Sequence, residues 1–387
     1  MWIRRLTLEH YRNYSRQELA LDRGTVLVLG DNAEGKSNLL EAAFLLATTR
    51  AGRAGTDGEL IQWDVLGDEQ PVARVSAEVE RADGPVELEV LVVGRPRGGE
   101  RSRVPASKRL RVNGVAKRQA DMVGQLIAVL FSTHDLELIG GAPAERRRYL
   151  DITLSQLDRG YTRALAAYGK VVTQRNALLR RIQEGEAKPA ELDFWDDELA
   201  GDGALIVCRR AGAVEALAAR AREAHARLSA DRETLAIEYR PRLDAWSAGA
   251  GVDETAEALR AALRAGRRHD IGAGMTLAGP HRDDLGFLID GVPAASFGSR
   301  GQQRTAALAL RLAEARFMAG ERGDLPVVLL DDVLSELDGE RRHAVLESLG
   351  GWDQLVITSA DPDRFGEGMP ATTQVFHVDD GRITPAS

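Results

Sequence analysis

The residues best suited to chemistry form one short glycine-containing segment near the N-terminus. The segment has the spacing G-x-x-x-x-G-K-[ST], and its members are Gly30, Asp31, Asn32, Ala33, Glu34, Gly35, Lys36 and Ser37. Glycines at both ends let backbone N–H groups turn toward a phosphate, and the N-terminus of a following helix adds positive potential. Lys36 can reach the β- and γ-phosphates, and the Ser37 hydroxyl can ligate Mg²⁺. The segment predicts a site for ATP and Mg²⁺, with Lys36 in a catalytic role.

The sequence around this loop supports the prediction. An apolar segment, 25–29, has strand character and precedes the loop, and a helix-forming segment, 37–47, follows it. The alternative is a chance glycine turn, which would not require this strand–loop–helix context.

A second candidate segment ends in two carboxylates. Residues 326–330 are apolar and typical of a buried strand, and Asp331 and Asp332 follow directly. In that position Asp331 would hold Mg²⁺, and Asp332 would act as the catalytic residue that polarises the attacking water. Alone, the pattern could be an ordinary strand end with an acidic turn. Together with the phosphate loop it predicts a Walker B segment.

A third segment opens the helix that precedes this strand. Ser299, Gly301 and Gln302 have the pattern S-x-G-Q, which combines a hydroxyl, a glycine N–H and a helix N-terminus suited to an anion. Ser299 could also serve as an N-cap, and the two roles are compatible. The pattern resembles the signature motif of ABC-type ATPases, which engages the nucleotide bound to a partner subunit. Residues 335–338 resemble the D-loop of that family.

Several longer stretches resemble the RecF family in particular. They are residues 6–14, 30–42, 131–139 with 145–151, 279–285 and 299–305. The resemblance implies an ATP-dependent DNA-binding protein of recombinational repair and replication restart, with weak ATPase activity. It further implies an ATP-dependent homodimer on duplex or gapped DNA, assistance to RecA loading with RecO and RecR as partners, and a link to SOS induction.

The chain departs from the RecF pattern in two places and from that of transporter ATPases in one. Ala33 stands where a glycine is usual, and Thr133-His134 replaces the more usual Pro-Glu. No switch histidine of the transporter type follows the predicted strand 355–358. Thr358 or Ser359 could substitute weakly, so slow hydrolysis is expected.

Basic residues concentrate between positions 95 and 118, with Glu100 as the single acid. They are Arg95, Arg97, Arg101, Arg103, Lys108, Arg109, Arg111, Lys117 and Arg118. Such a cluster would contact phosphates with strong salt dependence and little base specificity. A solvated arginine-rich loop is an equal alternative on the residues alone, and the resemblance favours DNA. Few aromatic residues accompany the cluster, which favours duplex over base stacking on single strands.

Composition limits the class of protein. The 387 residues are 44% apolar and 28% charged, and the formal net charge is −8. These are globular values, and the acidic balance argues against a surface that coats nucleic acid as a whole. Because no apolar run approaches the roughly 18–20 residues of a membrane span, we expect a cytoplasmic protein without membrane association. Two alternatives remain: an ABC-transporter ATPase subunit, or a nucleotide-stabilised DNA-binding scaffold without turnover.

Strands alternate with helices at both ends of the chain, which predicts an α/β fold. We expect an ABC-type P-loop ATPase head with a mixed sheet core, an antiparallel β subregion and an inserted helical lobe. The predicted subregion includes strands 73–79, 86–93 and 108–112, with a hairpin turn at Asn113-Gly114. The predicted divisions are 1–140, the N-terminal half of the core; 141–232, a lobe of two helices of about 30 residues each; and 233–387, the C-terminal half with the signature, Walker B and D-loop.

Overall fold

The computed structural model describes residues 1–52, 54–95, 104–244, 246–361 and 374–386. The strands are β1 (Trp2–Tyr11), β2 (Tyr14–Ala20), β3 (Gly24–Leu29), β4 (Val72–Glu80), β5 (Val86–Gly94), β6 (Ala106–Val112), β7 (Val115–Lys117), β8 (Ala128–Ser132), β9 (Leu235–Arg240), β10 (Asp284–Ile289), β11 (Val292–Pro293), β12 (Val327–Asp331), β13 (Gln354–Ser359), β14 (Gln374–Asp379) and β15 (Arg382–Pro385). The α-helices are α1 (Lys36–Thr48), α2 (Gln119–Met122), α3 (Leu136–Gly140), α4 (Pro143–Leu157), α5 (Arg159–Gln183), α6 (Leu192–Leu228), α7 (Val252–Ala273), α8 (Ala294–Phe297), α9 (Arg300–Arg322) and α10 (Gly339–Ser348). The chain divides into two units, one of Met1–Asp135 with Arg311–Ser387 and one of Leu136–Leu310.

The first unit holds a mixed six-stranded sheet that carries the candidate chemistry. Its order is β15-β14-β3-β13-β12-β8, and all strands except β15 run parallel. The central strands β12 and β13 are buried along their whole length, which explains their near-continuous apolar sequence. Their register places Asp331 opposite Thr358, and Ser359 opposite Leu29. The carboxyl ends of three neighbouring strands therefore meet at one edge of the sheet.

The second sheet of this unit is antiparallel, with the order β2-β1-β4-β5-β6-β7. Strands β4, β5 and β6 fall where the sequence predicted them. Asn113 and Gly114 have φ angles of 50° and 73°, so the turn joining β6 to β7 has the left-handed backbone that an Asn-Gly pair favours. Together the two sheets confirm the predicted α/β fold class, with a mixed sheet core and an antiparallel β subregion.

The second unit is larger than the predicted lobe 141–232. It runs to Leu310 because α7 and β9 pack against α6, and β9 pairs with β10. The signature residues therefore lie in this unit, whereas 233–387 was predicted to be the second half of the core. The expected pair of equal helices is also replaced by α4, α5 and α6, of 15, 25 and 37 residues. Asp158 divides α4 from α5, since its side chain accepts from Gly160 N and caps α5.

Two of the RecF-like stretches meet in this unit and stabilise it. Arg146 in α4 pairs with both carboxylate oxygens of Asp284, at 2.6 and 3.0 Å. Arg210 in α6 is 2% exposed and reaches Asp151 at 2.8 Å and Asp283 at 3.5 Å. Residues 145–151 and 279–285 thus share one ion-pair network that joins the helices to β10. In the described part of the chain, no helix is both long and apolar enough to cross a membrane.

Candidate nucleotide site

The phosphate loop connects the end of β3 to the start of α1. A Cβ atom at Gly30 would lie 2.5 Å from the Val378 carbonyl oxygen, and one at Gly35 would collide with the Asn13 side chain. Gly35 also has a φ of 118°. Only glycine therefore fits at these two positions. Ala33 has a φ of 73°, a left-handed conformation that costs a residue with a Cβ about 1–2 kcal/mol.

The tip of the β1–β2 hairpin supports the loop from one side. Asn13 donates from Nδ2 to the Glu34 carbonyl at 2.8 Å, and its Oδ1 accepts from Asn38 Nδ2 at 2.8 Å. The Tyr14 hydroxyl donates to the Gly35 carbonyl at 2.8 Å. Sequence reasoning did not assign these roles, although both supporting residues lie within the RecF-like stretch 6–14.

The β14–β15 hairpin supports the loop next to the first hairpin, because Gly381 lies against Asn13. Gly381 N donates to the Glu34 carbonyl at 3.2 Å, and Asp380 N donates to the Glu34 carboxylate. The phosphate loop is therefore held through its backbone by two hairpins that are distant in sequence.

Lys36 lies buried at the start of α1, and its ammonium group turns back into the loop. Nζ donates to the carbonyls of Gly30 and Asp31, both at 2.7 Å. Burial lowers the pKa of Lys36 from its ordinary value, and the nearby carboxylates of Asp332 and Asp331 oppose that shift. The lysine, the loop and the aspartate pair thus share one local electrostatic environment.

The two predicted metal ligands are in direct contact. Ser37 Oγ donates to Asp331 Oδ1 at 2.7 Å, and Thr358 Oγ1 lies 3.1 Å from the same carboxylate oxygen. A hydroxyl and a carboxylate are hard oxygen donors of the kind Mg²⁺ prefers, usually completed by substrate phosphates and water. The described residues contain no cluster of three acidic, histidine or cysteine side chains that could hold a metal alone. The donor set therefore fits Mg²⁺ bound together with a nucleotide.

Asp332 has two unusual features for an acidic residue at a strand end. Its φ is 53°, in the left-handed region, and its N–H donates to Thr358 Oγ1 at 3.1 Å. Its Oδ1 is buried, with no hydrogen-bond partner in the described part of the molecule. Strained backbone and unpaired buried polar atoms are typical of functional sites. Thr358 holds both aspartates, whereas Ser359 Oγ interacts with Asp361.

The segment after Asp332 connects the site to α10. Ser335 Oγ donates to the Asp332 carbonyl at 2.6 Å. Asp338 caps α10 by accepting from Arg341 N at 2.8 Å. The D-loop-like residues 335–338 are thus joined directly to the catalytic candidate.

The signature residues form a reciprocal cap at the start of α9 in the second unit. Ser299 Oγ accepts from Gln302 N at 3.2 Å, and Gln302 Oε1 accepts from Ser299 N at 2.8 Å. Gln302 Nε2 also donates to Glu233 at 2.9 Å. A Cβ at Gly301 would meet nothing closer than Ser299 Oγ at 3.9 Å. The N-cap role of Ser299 is therefore observed, and a nucleotide role for the three residues stays a prediction.

The predicted basic cluster does not form one patch. Arg97, Arg101 and Arg103 lie outside the described residues. Strand β6 alternates, so Arg109 and Arg111 lie on one face of the sheet, and Lys108 lies on the other with Lys117, which pairs opposite Leu110.

Two of these basic residues are also neutralised by acids of the same unit. Arg111 pairs with Glu89 at 3.0 Å, and Lys108 pairs with Asp57 at 2.7 Å. The remaining described members are exposed: Arg95, Arg109, Lys117 and Arg118. Their contact with DNA stays a prediction.

A cleft of about 610 Å³ adjoins the phosphate loop. Its lining includes Asn13 and Asn38, which support the loop, together with Arg12, Trp63 and Asp380. Arg12 is fixed by Glu41, with Nη2 to Oε2 at 3.0 Å. The cleft is wholly within the first unit and has the size of a nucleotide-binding pocket.

A glycine phosphate loop after β3 and a carboxylate pair after β12, at the same edge of one parallel sheet, define a P-loop ATPase head of the ABC type. A family model described as the RecF/RecN/SMC N-terminal domain matches residues 2–384. DNA replication and repair protein RecF of Chloroflexus aggregans is 45% identical over 99% of both chains, and that of Roseiflexus castenholzii is 44% identical over 100% of both. The chain belongs to the RecF family.

Solved structures agree with this assignment. The recombination mediator protein RecF with ATP, in the RecFOR pathway, has a TM-score of 0.87 at 31% identity, over 100% of this chain and 98% of that one. A head domain of Smc from Pyrococcus furiosus has a TM-score of 0.54 at 15% identity, over 100% of this chain and 96% of that one. The second likeness concerns the fold alone.

Proposed function

We propose that the chain binds ATP with Mg²⁺ in its first unit and hydrolyses it slowly. The observation that carries this proposal is that one carboxylate oxygen of Asp331 accepts hydrogen bonds from the hydroxyls of both Ser37 and Thr358. Ser37 and Asp331 would hold Mg²⁺, Lys36 would bind the β- and γ-phosphates, and Asp332 would polarise the attacking water. The bound cation would stabilise charge that develops on the phosphate oxygens. Slow turnover is expected because Thr358 contacts both aspartates and no switch histidine of the transporter type follows this strand in the sequence.

The nucleoside would occupy the cleft beside the loop. The cleft is lined by Asn38 from the first turns of α1 and by Asn13 from the supporting hairpin, so it continues directly from the phosphate-binding backbone. The partly exposed indole of Trp63 also lines it. Binding of ATP would therefore change the fluorescence of this tryptophan.

Asp332→Asn tests the catalytic assignment. We expect the variant to bind ATP with nearly wild-type affinity and to hydrolyse it at least about 100-fold more slowly, because the amide cannot polarise water as a carboxylate does. Asp83→Asn, at an exposed turn between β4 and β5, is the matched control. Unchanged turnover in Asp332→Asn would remove the catalytic role and favour the scaffold alternative.

Two ATP-bound copies would form the active assembly. In this proposal Ser299, Gly301 and Gln302 of one copy engage the γ-phosphate bound to the other, and the exposed cap at the start of α9 supports it. In an Asp332→Asn background, which retains ATP, light scattering should show a dimer only with nucleotide. Adding Ser299→Arg should give a monomer that still binds ATP. The control Ser247→Arg, on an exposed loop of the same unit, should leave the ATP-dependent dimer intact. Dimers that persist with Arg at position 299 would contradict the sandwich.

The closed dimer would grip duplex or gapped DNA in recombinational repair and replication restart. The support is family membership, since the full-length relatives are DNA replication and repair proteins RecF. The same relatives argue against the transporter alternative. RecO and RecR would be partners in RecA loading, with a link to SOS induction, and the place of action would be the cytoplasm.

Anisotropy of a labelled gapped duplex tests the DNA role. The protein would be titrated with ATP, with ADP and without nucleotide, at several salt concentrations. Tight binding only with ATP, weakening steeply as salt rises, is the expected result. Absence of binding in every nucleotide state would refute the DNA role and leave the nucleotide site untouched.

A further inference from the structure

Helix α5 has a charge composition unlike the rest of this acidic protein. Its 25 residues, RGYTRALAAYGKVVTQRNALLRRIQ, include six basic side chains and no aspartate or glutamate. One of the six, Arg175, is fully buried and pairs with Asp196 at 2.8 Å and Asp270 at 2.7 Å. The other five are exposed: Arg159, Arg163, Lys170, Arg180 and Arg181.

These five side chains share one face of the helix. At 100° per residue they fall within an arc of about 100°. The exposed positions between them are small or polar, as at Gly169, Thr173 and Gln174. The buried face carries Tyr161, Tyr168 and other apolar residues, so the helix is fixed with its basic face outward. The acids that flank this basic stripe are the two caps of the helix: Asp158, which pairs with Arg209 at 3.1 Å, and Glu184 at the C-cap.

Most of the exposed basic side chains of α5 lack the acidic partners that arginines have elsewhere in the chain. On the antiparallel sheet, Arg74 pairs with Glu89 at 2.6 Å and Arg4 pairs with Glu78 at 2.5 Å, so positive charge is cancelled across strands. In contrast, four basic side chains on the exposed face of α5 have no ion-pair partner among the described residues. These are Arg159, Lys170, Arg180 and Arg181. The stripe therefore carries uncompensated positive charge in a chain whose net charge is −8.

We propose that the exposed face of α5 binds the phosphate backbone of duplex DNA. The inference rests on the DNA-binding function proposed above and names the surface for it. From Arg159 to Arg181 the helix rises about 33 Å at 1.5 Å per residue, which is close to the roughly 34 Å of one turn of B-DNA. Small side chains between the cations let the helix approach phosphates, and Thr173 and Gln174 add donors of the kind found at DNA backbones.

The same surface suits other acidic partners less well. A protein interface needs aromatic or large apolar anchors, and a membrane surface needs large apolar residues on the contacting helix. The exposed face of α5 offers Ala166, Gly169, Thr173 and Ala177 between its cations. Duplex backbone, which is recognised mainly by charge and hydrogen bonding, is the partner that this chemistry fits.

Two charge-matched quadruple variants test the proposal. The first carries Arg159→Gln, Lys170→Gln, Arg180→Gln and Arg181→Gln on α5. The second carries Arg95→Gln, Arg109→Gln, Lys117→Gln and Arg118→Gln around β6 and β7, and removes the same number of charges. Glutamine keeps helix propensity, and circular dichroism with ATP-dependent dimerisation would confirm that each variant is folded.

Binding of a labelled duplex a few helical turns long would be measured with ATP as a function of salt. We expect the α5 variant to raise the Kd at least tenfold and to reduce the slope of log K against log salt by about one for each phosphate that the helix no longer neutralises. The β6–β7 variant should change both much less. Equal effects in the two variants, or an α5 variant with wild-type slope, would overturn the proposal.

Two further outcomes distinguish failure of the DNA function from failure of the α5 assignment. A wild-type protein that binds no duplex at all would refute the proposed DNA function itself, before either variant is compared. Binding of polyglutamate, which represents an acidic protein partner, would be measured beside binding of duplex. An α5 variant that loses binding to polyglutamate and keeps binding to duplex would assign the stripe to an acidic protein partner and overturn the duplex assignment.

Discussion

Replacing Thr358 by valine would remove one buried hydroxyl that contacts both Asp331 and Asp332. Oγ1 accepts from Asp332 N at 3.1 Å and lies 3.1 Å from Asp331 Oδ1 and 3.3 Å from the Leu330 carbonyl. Valine keeps the β-branched shape, so the change isolates the hydroxyl. The expected loss therefore follows from the hydrogen bonds alone.

A hydroxyl carries one proton and donates to one acceptor at a time, so two hydrogen bonds disappear in any one state. A neutral bond contributes about 0.5–1.5 kcal/mol, and one to a charged group about 1.5–3 kcal/mol. We expect Thr358→Val to lower the free energy of unfolding by about 2–4 kcal/mol. Asp332 would also lose the partner that holds its left-handed backbone, and a displacement near 1 Å at a reacting group costs about 100-fold in rate.

Single-turnover and steady-state ATP hydrolysis would measure the effect on catalysis. The expected result is a kcat lower by about 100-fold with KM changed only a few-fold, because the phosphate loop is held by other residues. Thr358→Ser, which restores the hydroxyl, should recover most of the activity. A valine variant that is less stable in urea but hydrolyses ATP at the wild-type rate would show that Thr358 has only a structural role.

Three other predictions follow from backbone strain, titration and buried charge. Ala33→Gly should raise the free energy of unfolding by about 0.5–1 kcal/mol in urea, since it relieves about 1–2 kcal/mol of left-handed strain and gives back part of this as unfolded-state entropy; a destabilised variant would contradict the strain at φ 73°. Burial lowers the pKa of His281 from its ordinary 6.5 to about 4. Between pH 6.5 and pH 4 the unfolded chain therefore binds a proton at this histidine and the native state does not, so stability falls as the pH falls through this range. Urea titrations should therefore give a free energy of unfolding about 2 kcal/mol lower at pH 5 than at pH 7. The variant His281→Gln should lose this difference, and a difference that persists in the variant would come from another titrating group. Arg210→Met should cost about 3–5 kcal/mol in the same assay, because it leaves Asp151 and Asp283 without their buried partner, and a neutral effect would mean that those carboxylates are protonated or solvated.

The features that the sequence predicted well are those set by local backbone chemistry. Only glycine fits at Gly30 and Gly35, so the phosphate loop is visible as a spacing of residue types. Strand β12 is apolar throughout because both of its faces are buried, and its two terminal aspartates are therefore conspicuous. The Asn113-Gly114 turn is equally local, since both residues adopt positive φ.

The features that the sequence could not reveal depend on contacts between distant segments. Asn13 supports the phosphate loop from 21 residues away, and Thr358 meets Asp331 from 27 residues away through the parallel register of β12 and β13. The boundary of the second unit is a further example. Helix α7 packs on α6 although strand β9 lies between them in the sequence, and no change in composition at residue 232 or 310 marks where the unit ends.

The surface on which a basic residue lies depends on whether its segment forms a strand or a helix. Arg109 and Arg111 are close in sequence to Lys108 and Lys117, but a period of two residues places the two pairs on opposite faces of a sheet. Glu89 neutralises Arg111 on one face, and Asp57 neutralises Lys108 on the other. In α5 six basic residues are spread over 25 positions, and a period of 3.6 residues places five of them on one exposed face. A basic run inside a strand therefore predicts less positive surface than its count suggests. An acid-free helix with scattered basic residues predicts more, and this difference is why the α5 surface is the stronger candidate for contact with DNA.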